Sequence, residues 1–237
     1  MNEPEAGVKR AFVRRMFDRI AVRYDLLNHL LSAGTDVRWR RKAVRLLDPQ
    51  PGWRVLDLAT GTGDFAFETA SRVPSRVAGL DLSIPMLRVG LRKRGDSPVD
   101  LLCGDAEELP FREGTFDGLT IGFGIRNVAR LKVGLREMCR VLKPGGRAAV
   151  LEFSRPRTPV LGGLYMLYFR HLLPRIGALV SGDRVAYTYL YESVMKFPEG
   201  RDFVAEMTRA GFRNVREHRL TLGIATVYVG EKPSPTP

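Results

Sequence analysis

The chain has 237 residues, 44% hydrophobic and 27% charged, which is enough for one sizeable core and typical of a water-soluble globular protein. Its first 25 residues are charged and helical in pattern, which argues against a secretion signal. Two cysteines, Cys103 and Cys139, are too few for a disulfide scaffold and too far apart for a metal hook, so a reduced, cytoplasmic protein with no metal is expected.

The formal charge of +12 comes mostly from arginine spread along the chain, with clusters at 38–42 and 88–94. Biased composition explains such a spread, attraction to an anionic membrane surface comes next, and nucleic acid third. Between residues 9 and 32, Phe12, Met16, Phe17, Ile20, Tyr24, Leu27 and Leu31 recur at three- and four-residue steps, which predicts one amphipathic helix or a pair. Asp36 reads as the N-cap of a helix carrying Trp39, Ala43, Leu46 and Leu47, closed by Pro49 and Pro51. Short apolar runs then alternate with helical patterns. The predicted strands are 53–58, 76–80, 99–103, 116–122 and 147–153; the helices between them include 65–73, 85–94 with Ser83 as N-cap, and 130–142. Such alternation predicts a parallel sheet with right-handed crossovers and both faces covered. Residues 201–210 read as a helix stopped by Gly211. Two runs follow, 214–220 and 225–231, joined so briefly through Gly223 that they must pair antiparallel. No internal repeat or linker interrupts the chain, and the tail 234–237 reads as flexible.

The stretch WRVLDLATGTGD, 53–64, is a strand entering a glycine turn that opens a helix, an arrangement that lets backbone amides approach a ligand. Its glycine spacing departs from the dinucleotide fingerprint. Asp57 ends the strand before the turn, Asp81 ends the next strand, where a carboxylate can hold two ribose hydroxyls, and Asp105 follows the third strand in GDAEELPF. Taken in order, these features and the terminal hairpin resemble class I S-adenosylmethionine methyltransferases over roughly 50–231. The resemblance implies that Asp57, Gly61, Thr62 and Gly63 flank the methionine part of the cofactor, that Asp81 takes the ribose, and that Met86 packs on adenine. Asp105 and Ala106 would read the adenine edge.

The carboxyl end of strand four, TIGFGIRNV at 120–128, lies where a methyl acceptor must come in a doubly wound sheet. It lacks the Pro-Pro motif of amino-methylating nucleic-acid enzymes, and neither cysteine is placed as a cytosine nucleophile, so no nucleic-acid partner is expected. GFGIRNV, together with YDLLN (24–28), Trp39-Arg40-Arg41 and RVLKPGGRAAVLEFS (140–154), resembles the ubiquinone/menaquinone biosynthesis C-methyltransferase family, and the match spans nearly the whole chain. Two departures stand out: Asp36 where many members have histidine, and Gly122 where some have a serine beside the cofactor.

The family resemblance implies a single methyltransferase domain, 1–233, with an α/β, Rossmann-like, mostly parallel seven-stranded sheet ending in an antiparallel hairpin. Helices 1–48 would cover the active site, 49–154 bind cofactor, 155–197 form an acceptor-site or lid insertion, and 198–233 carry the last helix and hairpin. The implied reaction moves a methyl group from S-adenosyl-L-methionine to a ring carbon of a polyprenyl quinol, releasing S-adenosyl-L-homocysteine. Demethylmenaquinol is the preferred acceptor, a benzoquinol or both the alternative. A phenolic hydroxyl has a pKa near about 10, and a fixed cation beside it favours the anion. Arg126 is expected to supply that cation, Asn127 to orient a ring oxygen, and Tyr24 and Asn28 to close the other side; Gly122 would line the cofactor. No strong base is visible, His171 and His218 lying outside the motifs, so water serves. Residues 155–197 are apolar and aromatic but broken by Arg170, His171, Pro174 and Arg175, which suits a lid, an interfacial helix or plain core rather than a membrane span. Transient contact with the inner face of the membrane would follow, and a homodimer stays open. The competing readings are a methyltransferase for another small aromatic or lipid, an RNA-modifying enzyme, and a cofactor-binding scaffold without turnover.

Overall fold

The structure is a computed structural model; it describes residues 3–32, 34–156, 158, 162–163, 166–169 and 184–234. The Arg170–Arg175 stretch, His171 and the last three residues of the tail lie outside the described residues.

Seven strands form one sheet. They are β1 (Arg54–Leu58), β2 (Arg76–Asp81), β3 (Val99–Cys103), β4 (Phe116–Gly122), β5 (Leu142–Phe153), β6 (Arg213–Leu220) and β7 (Ala225–Glu231). Their order is β3-β2-β1-β4-β5-β7-β6, with β1 to β5 parallel and β7 antiparallel to both neighbours. This is the doubly wound sheet and end hairpin expected from the alternation of patterns. The order reverses at β1, so the crevice outside the carboxyl ends of β1 and β4 is the ligand position of such sheets.

Alternation along each strand feeds two cores. Leu56, Leu58, Leu119 and Ile121 point to the side covered by α6 (Leu131–Val141) and α8 (Arg201–Arg209), which bring Leu135, Met138 and Phe203. Val55, Val77, Ala149 and Leu151 point to the side covered by α3 (Thr35–Leu47) and α4 (Asp64–Arg72), which bring Trp39, Val44, Leu47 and Phe65. A third, smaller cluster roofs the carboxyl ends of the strands. It joins Met16 and Ile20 of α1 (Glu3–Ile20), Met86 of α5 (Ile84–Lys93), Phe169, and Ala186 and Val194 of α7 (Arg184–Lys196).

Of the two alternatives for 9–32 the structure has the pair, α1 and α2 (Tyr24–Ser32), separated by a 3-10 turn at Ala21–Arg23. Two expectations are corrected in detail. Asp36 does not cap α3: Gly34, left-handed at φ 72°, precedes the first turn, and the Asp36 carboxylate is drawn inward by Ser32 Oγ and Arg40 Nη2, both at 2.7 Å. β5 starts at Leu142 rather than 147, because the Lys-Pro-Gly-Gly segment is taken up as an irregularity in its pairing with β4. Ser83 does cap α5, its hydroxyl accepting from Met86 N at 3.3 Å, and Gly211, at φ 108°, ends α8.

Candidate active site

The turn after β1 is fixed from below. Pairing of β1 with β4 sets Asp57 beside Thr120, and Asp57 accepts hydrogen bonds from Thr120 Oγ1 and Thr60 Oγ1, both at 2.6 Å. Its carboxyl is fully buried, and that burial pushes its pKa up to about 7 against the two hydroxyl bonds that oppose it. Asp57 therefore stands behind the turn and off the cavity wall. Thr62 is also turned away: its hydroxyl bonds Asp25 of α2 at 2.5 Å and accepts from Lys93 Nζ, which in turn bridges Asp25 (2.6 Å) and Asp64 (2.5 Å). Gly63 caps α4 in a left-handed conformation, and a side chain there would run into the Phe67 ring at 2.7 Å.

In front of the turn lies a cleft of about 770 Å³. Gly61, Asp81, Met86, Asp105, Ala106 and Gly122 all line it, so six of the residues expected at the cofactor come together there. Asp81 accepts from Gly61 N and Ser83 N, each at 2.8 Å, while burial raises its pKa. Asp105 binds Glu107 N at 2.9 Å and faces Arg10 Nε of α1 at 2.7 Å. Arg10 also meets Glu107, which Arg130 grips at 2.7 Å; burial opposes but does not outweigh those partners, and Glu107 is held below the usual carboxylate range. Close approach at the β4 end is built in: a Cβ on Gly124 would stand 2.5 Å from Ala59 Cβ, and one on Gly122 would stand 2.8 Å from the Phe65 ring. Asn127 lines this cleft too, its Nδ2 on Phe123 O and its Oδ1 buried with no partner among the described residues.

A second cavity, of about 1120 Å³, adjoins the first and shares Phe17, Tyr24 and Phe123 with it. Its walls are largely aromatic and aliphatic, including Trp39, Phe153 and Phe169, with Asn28, Asp36 and Arg126 as polar groups. Tyr24 hangs over the glycine turn, close enough that a Cβ on Gly61 would lie 3.7 Å from its ring. Burial raises the Tyr24 pKa, opposed by a hydrogen bond with Asn28, so the phenol stays protonated near neutral pH. Asp36 stays ionised: its burial is outweighed by the Ser32 hydroxyl and the Arg40 guanidinium, and its pKa lies below the usual range.

Arg126 and Asn127, neighbours in sequence, divide between the two spaces. Asn127 lines the first cavity and Arg126 the second. Arg126 is not a free cation. Its Nη1 bonds Glu152 Oε1 at 2.7 Å and also Phe123 O, its Nε bonds Ser193 Oγ at 3.3 Å, and its guanidinium lies 5.6 Å from the Phe153 ring centroid. Glu152 has no exposure, and burial raises its pKa against the pull of Arg126. Sequence reasoning missed Glu152, although the Leu-Glu-Phe-Ser stretch that carries it was already singled out. It also missed Arg10 and the aromatic pair Phe123–Phe153, for which no local pattern gave a signal.

Sheet order, reversal point and glycine turn define a Rossmann-like fold, and the family match below makes it a methyltransferase. Solved structures share the fold: an S-adenosylmethionine-dependent methyltransferase from Thermotoga maritima superposes with a TM-score of 0.66 at 23% identity, covering 93% of this chain and 99% of that one. Phosphoethanolamine N-methyltransferase 2 of Haemonchus contortus, in complex with S-adenosyl-L-methionine, gives 0.62 at 17% identity, over 82% of this chain and 52% of that one. Residues 5–232 match the model of the ubiE/COQ5 methyltransferase family, and the chain belongs to that family. Among its relatives, the ubiquinone/menaquinone biosynthesis C-methyltransferase UbiE of Geotalea daltonii is 49% identical over 93% of this chain and 96% of its own. The demethylmenaquinone methyltransferases of Deinococcus radiodurans (47%, 98% of both chains) and Thermus thermophilus (49%, 92% of this chain, all of the other) are as similar.

Proposed function

We propose that the chain transfers a methyl group from S-adenosyl-L-methionine to a ring carbon of a polyprenyl quinol, demethylmenaquinol before a benzoquinol. The observation that carries this reading is the pair of adjoining cavities that meet at Tyr24 and Phe123, one lined by the cofactor-type residues and the other aromatic.

The first cavity suits the cofactor. Gly61 and Gly124 leave room that a Cβ would take from a ligand or from the turn, and the unpartnered Asn127 Oδ1 offers an acceptor. Asp81 would hold the ribose, Met86 pack on adenine, and Asp105 with Ala106 read its edge. Bound there, the cofactor supplies an electrophilic sulfonium methyl. Asp57, Thr62 and Gly63 act one layer behind by fixing the turn.

In the second cavity the chain's own groups bind and polarise a hydroquinone. The opposite charges of Arg126 and Glu152, paired at 2.7 Å, nearly cancel at a distance. What Arg126 offers is a fixed donor: Nη2 takes no part in its bonds to Glu152, Phe123 and Ser193 and would meet a ring oxygen as negative charge grows there. Asp36 would accept a hydrogen bond from a ring hydroxyl. As a base it is poor, because a carboxylate held below its ordinary range takes a proton from a phenol only far uphill. Tyr24 and Asn28 would close the ring's edge. Alignment between the two cavities supplies the largest share, at best about 7–11 kcal/mol.

A polyprenyl tail draws the protein to a bilayer. Val22 and Leu26, 83% and 61% exposed, stand at the α1–α2 corner above the second cavity, and the +12 charge favours anionic lipid. Among the described residues no helix is long and apolar enough to cross a membrane. Co-sedimentation with liposomes should rise with anionic lipid content; indifference to it would remove the membrane part of the proposal. The reaction is tested by mass spectrometry of products from demethylmenaquinol and from a benzoquinol. A methylated naphthoquinol supports the assignment, and absence of methylated quinol from both defeats it.

A further inference from the structure

Tyr189 of α7 is placed in an unusual way. It lines the second cavity and also a groove of about 860 Å³ that includes Lys9 of α1 and Glu192 and Lys196 of α7; Arg126 lines the same two spaces. Phe12 of α1 packs edge-on against its ring, centroids 5.4 Å apart, so the ring's direction is set. Yet its hydroxyl is buried and has no hydrogen-bond partner among the described residues.

A buried hydroxyl without a partner destabilises the fold, and phenylalanine would fill the same space without that cost. Its neighbours along the helix are spoken for: Ser193 Oγ donates to Leu190 O and accepts from Arg126 Nε. Burial also keeps the Tyr189 phenol protonated, with Arg126 opposing and Glu152 reinforcing the shift, so the group remains a donor near neutral pH. A hydroquinone has two ring oxygens. Tyr24, Asn28 and Asp36 reach the cavity from α2 and α3, whereas Tyr189 and Arg126 reach it from α7 and from the turn after β4.

We propose that the Tyr189 hydroxyl donates a hydrogen bond to a ring oxygen of the acceptor, making α7 part of the acceptor site. This rests on the quinol reading above. The test compares the full-length parent with Tyr189→Phe, measuring kcat and KM for demethylmenaquinol, affinity for S-adenosyl-L-methionine, and Tm. The expected result is a fall in kcat/KM of about ten- to a hundredfold, cofactor affinity within twofold, and a Tm equal to or above the parent's. A variant within twofold of an active parent overturns the proposal and leaves the quinol reading standing. A Tm several degrees below the parent's also overturns it, because the hydroxyl would then be structural. A parent that does not methylate the quinol overturns both.

Discussion

The floor of the site and its roof are assembled by different kinds of contact. The floor is the turn after β1 together with the ends of β2, β3 and β4, and strand pairing places its groups: Asp57 meets Thr120 because β1 and β4 are in register there. The roof is held by side chains that reach across the chain. Thr62 bonds Asp25 37 residues away, Ser83 bonds Asp18 across 65, Lys9 bonds Val128 O across 119, and Trp39 bonds Thr221 across 182. A floor built on register tolerates little change in backbone geometry. A roof built on separate polar contacts loses its parts one at a time, except where two charges are buried together.

That exception gives the largest expected effect. Arg126→Gln and Glu152→Gln each leave a buried partner uncompensated, and each should cost about 3–5 kcal/mol in urea unfolding, the double variant distinctly less than the sum. Additive losses would show that the pair is not coupled. Arg126→Gln should also lower turnover by about 10²–10³-fold while calorimetry shows cofactor affinity little changed, separating roof from floor. Next comes Gly124→Ala, whose Cβ would meet Ala59 Cβ at 2.5 Å. Overpacking of about 1–3 kcal/mol is expected, and here cofactor affinity should fall with Tm, since Ala59 belongs to the floor.

Asp57 gives a smaller, pH-dependent effect. Its folded pKa of about 7 lies above its ordinary value of 3.8, so its contribution to stability is fully present below about 3.8 and is lost as pH rises through 7. Asp57→Asn should flatten that decline; unfolding curves that keep the parent's slope between pH 4 and 7 would contradict the assignment. The smallest change is Thr62→Ala, which unties α2 from the turn. A loss of about 0.5–1.5 kcal/mol with a severalfold weaker hold on the cofactor is expected, and calorimetry at matched pH would detect it.

The sequence carried the floor almost completely. Strand alternation, the glycine turn and the acids at successive strand ends are local signals, and β3, β4 and β7 appear with the limits the pattern implied. Because strand order follows from connection rules, the placement of TIGFGIRNV at the carboxyl end of β4, beside the crevice, was legible too. The roof was not. Asp36 looked like a cap because capping is a local preference, whereas its actual partners, Ser32 and Arg40, draw it inside. Arg126 looked unpaired because Glu152 is 26 residues away on the next strand, where only sheet pairing brings the two together. The split between Arg126 and Asn127 has the same origin: adjacent residues in a 3-10 turn, Ile125–Asn127, project to different sides, and the division into two cavities is a property of the roof.

The two-cavity account is tested most directly by filling the second space alone. Leu190 of α7 lines that cavity and does not line the first. With methyl-labelled S-adenosyl-L-methionine and demethylmenaquinol, the parent should form labelled menaquinol, and Leu190→Trp should form little while binding the cofactor as the parent does. Undiminished labelling of the quinol by a folded Leu190→Trp variant would contradict the account.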